Sequence, residues 1–202
     1  MKTKEKILVQ ALSLFNDKGV DQVSSLEISQ ALSISYGNLT YHYPKKDDIV
    51  LALYSQMQTE LNAAINHLVQ RIFEETYYLE LVNEIFEVIW KYRFINLNIN
   101  SLMNQYEAIY ASEKSYRSQR ENILNKAKKH LIQEGYLKAE NNDNYKLVIQ
   151  NLNMLLYAWI TDAELFYEWN QSQKITPYAS LFYNIQHTQV RPLKTSYAAA
   201  EP

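Results

Sequence analysis

Residues 24–46, SSLEISQALSISYGNLTYHYPKK, decide the fold. Ser24 followed three residues later by Glu27 is a capping box, in which the hydroxyl and the carboxylate each satisfy an orphan backbone donor and start a helix at about residue 25. Ile28, Ala31 and Leu32 then fall on one side of that helix. Ser33, Ile34 and Ser35 make a turn, with Ile34 anchoring it in the core and the Ser35 hydroxyl capping a second helix over about 36–43. Leu39 faces inward with Ile34, which leaves Tyr36, Asn38, Thr40, Tyr41 and His42 mostly outward, a surface rich in hydrogen-bond donors and poor in carboxylates. Gly37 costs this helix roughly 1 kcal/mol relative to alanine, a choice that a close backbone approach to another molecule would explain. Two short helices joined by a tight turn, the second exposed, polar and aromatic, fit a groove of duplex DNA.

Upstream, a helix over about Thr3 to Lys18 puts Ile7, Ala11 and Phe15 in one row with Leu8 and Leu12 beside it, and Gly19 suits its C-terminal cap. The result is a three-helix unit. Downstream, Ile49, Leu53, Met57, Leu61, Ile65, Leu68 and Ile72 recur every three or four positions from Lys46, a helix far longer than the motif needs. Further helices are expected over about 78–92, 100–110, from Ser112 as cap to Glu134 with Gly135 as terminator, and over 144–169. The Asn-rich stretch 96–100 bends or breaks the chain, and a last helix has Thr176 as N-cap, Pro177 at its first position and runs to about Gln189. The tail after Arg191-Pro192 has no periodic pattern and is expected to be mobile.

At this point the sequence resembles a family. Residues 5–54 look like the N-terminal DNA-binding domain of the TetR (tetracycline repressor-like) family of bacterial transcriptional regulators. The likeness rests on the apolar first helix ending in Phe15 and Gly19, on Ile28, and on the run Ile34-Ser35-x-Gly37-x-Leu39-x-x-His42-Tyr43-x-x-Lys46. Ser33 replaces the usual turn glycine, Thr40 stands where the family mostly has Tyr, and Ser25 and Leu26 stand where an apolar and a polar residue are usual. Tyr92-Arg93-Phe94 and Glu134-Gly135-Tyr136-Leu137 also look like a subgroup's regulatory half. The resemblance implies an all-α chain with a helix-turn-helix DNA-binding domain over 1–45, a larger helical ligand-binding and dimerisation domain over 46–192 and a tail over 193–202. It further implies that Tyr36, Gly37 and Asn38 meet base edges and that Ser24, Thr40, Tyr41, His42 and Lys46 meet phosphates, contacts that fix register rather than sequence. Ser35 and Lys45 complete the candidate DNA-binding set.

Charge is placed rather than plentiful. The formal net charge of the chain is −2, and residues 1–50 carry six lysines against six acids. Lys2, Lys4 and Lys6 open the chain and Lys45 and Lys46 follow the second motif helix, while Asp47 and Asp48 fall in the first turn of the next helix, where its dipole favours them. Phosphate affinity scales with interfacial cations, so two such clusters per subunit favour a dimer over a monomer.

The 144–169 stretch carries an assembly signal. Tyr145, Ile149, Leu152, Leu156, Trp159, Ala163 and Phe166 follow alternating steps of four and three, a seam that packs helix on helix. Such a seam can equally serve the chain's own core. Tyr178, Leu181, Phe182 and Ile185 offer a second stripe, and two helices from each of two subunits would make a four-helix interface, as the resemblance implies. The dimer candidates are therefore Leu152, Leu156, Trp159, Ala163, Phe166, Tyr178, Phe182 and Ile185.

The middle of the chain is aromatic: Phe86, Trp90, Tyr92, Phe94, Tyr106, Tyr110 and Tyr116 gather there with Met103. Amphipathic helices need an apolar face for their core, but buried tyrosines need hydroxyl partners, which suits a cavity that is apolar with a few polar groups. Phe86, Trp90, Phe94, Met103, Tyr106 and Tyr110 are the candidate pocket for a small apolar or amphipathic effector.

Catalysis finds no machinery. His42, His67, His130 and His187 lie on different expected helices without a metal-ligand pair at helical spacing, and no glycine-rich phosphate loop or nucleophile elbow occurs. No metal, no cofactor and no enzymatic activity are expected. Zero cysteines exclude disulfides and suit a reducing cytoplasm, the expected location; no signal peptide is evident and no apolar run approaches membrane-spanning length. The expected function is a ligand-responsive transcriptional regulator, a repressor on a palindromic operator as a homodimer. The alternative is a helical protein-interaction or lipid-sequestering module without specific DNA binding.

Overall fold

Few helix breakers and frequent apolar residues at steps of three and four make most of the described chain helical. The computed structural model describes residues 2–71, 75–135, 154, 158–163 and 178–181, and no strand occurs among them. The helices are α1 (Thr3–Lys18), α2 (Ser25–Ala31), α3 (Tyr36–His42), α4 (Lys46–Gln70), α5 (Glu75–Lys91), α6 (Arg93–Leu97), α7 (Ile99–Gln105) and α8 (Glu107–Gln133). Residues 158–163 and 178–181 are also helical. No described helix is long and apolar enough to cross a membrane.

Local chemistry sets the ends. Gly19, at φ 85°, turns the chain after α1 and returns its N–H to the Phe15 carbonyl at 3.0 Å. The α2 and α3 starts are capped by Ser24 and Ser35, whose Oγ atoms accept from the N–H of Glu27 and of Asn38, each at 3.1 Å. Asn98 separates α6 from α7, its side-chain amide donating to the Phe94 carbonyl at 2.8 Å in place of a continuing ladder. The next break falls at Tyr106, whose backbone is extended, and α8 starts directly after it. Ser112 is therefore an interior residue of α8 and not its cap: nothing in residues 107–111 stops a helix, and Glu107 already places an acid in the first turn.

Two compact units divide the chain. Unit 1 comprises Met1–Glu60 and Lys91–Lys114; unit 2 comprises Leu61–Trp90 and Ser115–Pro202. In unit 1, Ile7, Ala11 and Phe15 of α1, Ile28 of α2, Leu39 of α3 and Ile49 and Leu53 of α4 are all buried, as their spacing predicts. Phe94 and Ile95 of α6 and Leu102 of α7 join the same unit, fully buried. The Phe15 and Phe94 rings lie 5.1 Å apart, tilted by 51°.

The first half of α4 is tied to the 91–114 return by side chains of opposite kinds. Asp47 Oδ1 accepts from the Tyr106 hydroxyl at 2.9 Å, Glu113 Oε1 accepts from Tyr54 at 2.8 Å and from the buried Gln58 amide at 2.7 Å, and Glu60 Oε1 accepts from Tyr92 at 2.8 Å. Lys91 completes the last group through an ion pair with Glu60 at 2.7 Å. Burial, reinforced by Glu60 and by Asp47, raises the hydroxyl pKa of Tyr92 and of Tyr106 well above the ordinary tyrosine range, which keeps both as donors.

Unit 2 has its own core. Ala64, Ile65 and Leu68 of α4 pack with Leu81, Val82, Ile85, Phe86, Ile89 and Trp90 of α5 and with Trp159, Ile160, Ala163 and Ala179. His67 Nδ1 meets Glu84 Oε2 at 3.0 Å on the rim. Trp159 is 1% exposed, with ring centroids 5.0 Å from Phe86 and 5.3 Å from Tyr178, and Tyr178 donates to the Asp162 carboxylate.

Candidate nucleic-acid interface

α3 is short, and one residue, Leu39, buries it while the turn before it locks its angle to α2. Ser33 takes the left-handed conformation, φ 55°, that the turn needs, and Ile34 N–H reaches back to the Ser29 carbonyl at 3.0 Å. Of the outward face that the sequence predicts for α3, Tyr36 is 51% exposed, Tyr41 is 82% exposed and Asn38 is exposed with Gly37 beside it, whereas Thr40 and His42 are half-buried. A Cβ built on Gly37 meets nothing within 4 Å, so packing inside the subunit does not require glycine there.

The polar groups around that face are differently disposed. Ser24 and Ser35 accept backbone N–H groups and keep their own hydroxyl hydrogens for another acceptor. Thr40 directs its hydroxyl at the carbonyls of Tyr36 (3.1 Å) and Gly37 (3.2 Å), so its one donor hydrogen serves α3 itself. His42 sets its ring edge-on to Tyr41, centroids 5.2 Å apart. Lys46 donates one hydrogen to the Val20 carbonyl at 3.0 Å, which fixes its ammonium beside the start of α2 with two hydrogens remaining. Lys45 is exposed.

The acids next to these lysines are engaged internally. Asp48 accepts from the Lys45 N–H at 2.8 Å and Asp47 from the Tyr106 hydroxyl at 2.9 Å, and both are half-buried. At the back of the motif, Lys18 pairs with Glu27 at 2.5 Å and holds that carboxyl below the usual carboxylate range. Between the helices an open depression is lined by Val23, Ser24, Leu26, Tyr36 and Lys46 among others.

The expected effector pocket divides between the units. Phe86 and Trp90 are buried in the core of unit 2, whereas Phe94, Met103, Tyr106 and Tyr110 belong to unit 1. There Phe94 packs on Phe15 and Tyr106 bonds to Asp47, so both hold unit 1 together; Met103 is half-buried and Tyr110 is 60% exposed. Aromatic periodicity did not distinguish these two uses. The dimer candidates also divide. Trp159 and Ala163 are buried within the subunit and Tyr178 packs against them, while Leu152, Leu156, Phe166, Phe182 and Ile185 lie outside the described residues. Nearby among the described residues, Met154 (69% exposed) and Leu181 (46% exposed) are large apolar residues that face outward. Asn16, Glu60 and Glu113, which join parts of unit 1, carry no periodic signal in the sequence. No cluster of three or more potential metal-ligating side chains occurs among the described residues.

Residues 7–53 match the family described as bacterial regulatory proteins, tetR family, and residues 50–188 match the one described as bacterial transcriptional repressor. Over 46 residues the chain is 39% identical to the biofilm operon icaADBC HTH-type negative transcriptional regulator IcaR of Staphylococcus epidermidis, a stretch spanning 23% of this chain and 25% of that protein. The fold is similar to that of a TetR-family transcriptional regulator from Marinobacter aquaeolei VT8, with a TM-score of 0.78 at 21% identity over 98% of this chain and 97% of that one. It is also similar to the ketosteroid transcriptional regulator KstR2 of Mycobacterium tuberculosis, with a TM-score of 0.70 at 15% identity over 94% and 95% of the two chains.

Proposed function

Because the chain belongs to the TetR family of bacterial transcriptional regulators, we propose that it is a homodimeric repressor whose two α3 faces read a palindromic operator. A small effector held in unit 2 releases it. The observation that carries the DNA part is α3 itself: a helix with one buried residue and an outward face of Tyr36, Gly37, Asn38 and Tyr41, followed by Lys45 and Lys46. Asn38 suits bidentate readout of adenine, and the lysines and serine hydroxyls suit phosphate oxygens.

For the effector, support comes from unit 2. Trp159 Nε1 is a buried donor with no acceptor among the described residues, set among Phe86, Trp90 and Tyr178. An apolar molecule carrying a neutral acceptor would satisfy it, and the described side chains around it favour no charge. For assembly, Ala158 and Thr161 are exposed on the side of their helix away from the buried Trp159 and Ala163, and Met154 and Leu181 are exposed apolar residues.

The test is duplex DNA selected by the purified chain from fragmented genomic DNA. Asn38→Ala is expected to relax preference for the selected sequence by about 1–3 kcal/mol per contacted base pair, and Lys46→Ala to weaken all duplexes and flatten the salt slope. Unchanged affinity and salt slope in both variants would remove α3 as the reading element.

A further inference from the structure

Leu26 is the second residue of α2, a position that the capping chemistry does not need and that the core does not use. Ile28 is buried and Val23 fills the turn before α2, while Leu26 remains 51% exposed. Its flank is polar: Ser24 is a cap, Ser25 is half-buried, and Glu27 is paired to Lys18. An exposed leucine on that flank places apolar surface in water. It lines the same open depression as Tyr36, the first residue of α3, also 51% exposed, and as Ser24 and Lys46.

We infer that Leu26 and Tyr36 together take the 5-methyl group of an operator thymine, so that α2 contributes to base reading beside α3. This rests on the DNA-reading role proposed above. The occupant follows from continuity and from chemistry. The depression adjoins the α3 face, and its polar members, the Ser24 hydroxyl and the Lys46 ammonium, suit the phosphates that border a groove. Among base edges in the major groove, only thymine presents an apolar group, its methyl; the others present donors and acceptors that a leucine side chain would leave unpaired. Tyr36 can combine both kinds of contact, with its ring against the methyl and its hydroxyl toward a polar edge.

The experiment uses the full chain and the duplex it selects from fragmented genomic DNA, with each thymine of a half-site replaced singly by deoxyuridine, which removes only the methyl. At one thymine per half-site the replacement is expected to weaken binding about fourfold, the effect of one buried methyl. In Leu26→Ala that difference vanishes, while the salt slope and the thermal midpoint stay as in the wild type. A duplex in which every thymine tolerates the replacement overturns the inference, as does a thymine effect that persists undiminished in Leu26→Ala. Both outcomes leave α3 reading intact. A chain that enriches no sequence and binds duplex without salt dependence fails at the underlying reading, and the inference falls with it. A lowered midpoint in Leu26→Ala with unchanged discrimination would assign Leu26 to packing and overturn the inference too.

Discussion

Asn16, near the end of α1, uses both ends of its amide on the α5–α6 junction: Nδ2 donates to the Lys91 carbonyl at 2.9 Å and Oδ1 accepts from the Phe94 N–H at 3.1 Å. The pair spans 78 residues of sequence and joins the first helix of unit 1 to its returning segment. Asn16→Ala removes both bonds and leaves the part-buried Phe94 N–H without its acceptor, so stability is expected to fall by about 1–3 kcal/mol. Denaturant unfolding checks it; a change below about 0.5 kcal/mol would mean that water replaces the amide without loss.

Gly37→Ala separates folding from recognition. With open space at the Cβ position, alanine should stabilise α3 by about 0.8–1 kcal/mol. If the α3 backbone approaches DNA closely, the same change weakens operator binding. A variant that is both more stable and unimpaired in binding would remove the close approach.

Ser33 holds φ 55° without being glycine. The left-handed region costs an L residue about 1–2 kcal/mol, partly offset by the greater chain entropy that glycine loses on folding. Ser33→Gly is therefore expected to raise stability by about 0.5 kcal/mol, seen as a higher thermal midpoint with DNA affinity unchanged. A lower midpoint would mean that the serine side chain compensates its own strain.

The hydrogen-bonding signals in the sequence carried as far as local structure does. Ser24, Ser35 and Gly19 mark helix ends that depend only on nearby backbone groups, and each stands in the structure at the position read from the sequence. Breaks set from a distance were less visible. Tyr106 ends α7 with its hydroxyl held by Asp47, 59 residues away, and no local breaker announces it. The same limit applies to the aromatic residues: Phe94 and Trp90 look alike at helical spacing, yet one packs on Phe15 and the other in the Trp159 core. On the DNA face, exposure was readable from the pattern, whereas the attachment of Lys46 to Val20 was not.

Tyr106 and Tyr92 should mark the alkaline limit of unit 1. Burial and their carboxylate partners raise both hydroxyls above the unfolded value of about 10. A raised folded pKa contributes stability that is complete below the unfolded value and is lost as pH climbs through the folded one. Tyr106→Phe should therefore be less stable than the wild type near neutrality, with the gap narrowing above about pH 10. Urea unfolding across that range checks it; a constant gap would mean that the hydroxyl does not titrate differently on folding.

Trp159 and Leu181 should respond differently to charge. Trp159→Glu places an unpaired carboxylate in the unit 2 core and is expected to unfold that unit or cost more than about 3 kcal/mol. Leu181→Glu leaves the fold intact and yields monomers in sedimentation. A folded, monomeric Trp159→Glu protein would return Trp159 to the subunit interface.

The division of α4 after Glu60 bears on how the protein is made. Unit 1 is discontinuous in sequence: the carboxylates of Asp47 and Glu60 wait for Tyr106 and Tyr92, and the Asn16 amide waits for the 91–94 backbone. A ribosome must therefore add roughly fifty residues beyond Glu60, about 3 to 10 s of synthesis, before the first helices can acquire their last partners. During that interval Phe15 lacks the aromatic ring that covers it, and the nascent DNA-binding unit presents an apolar surface to whatever shares the exit tunnel's mouth.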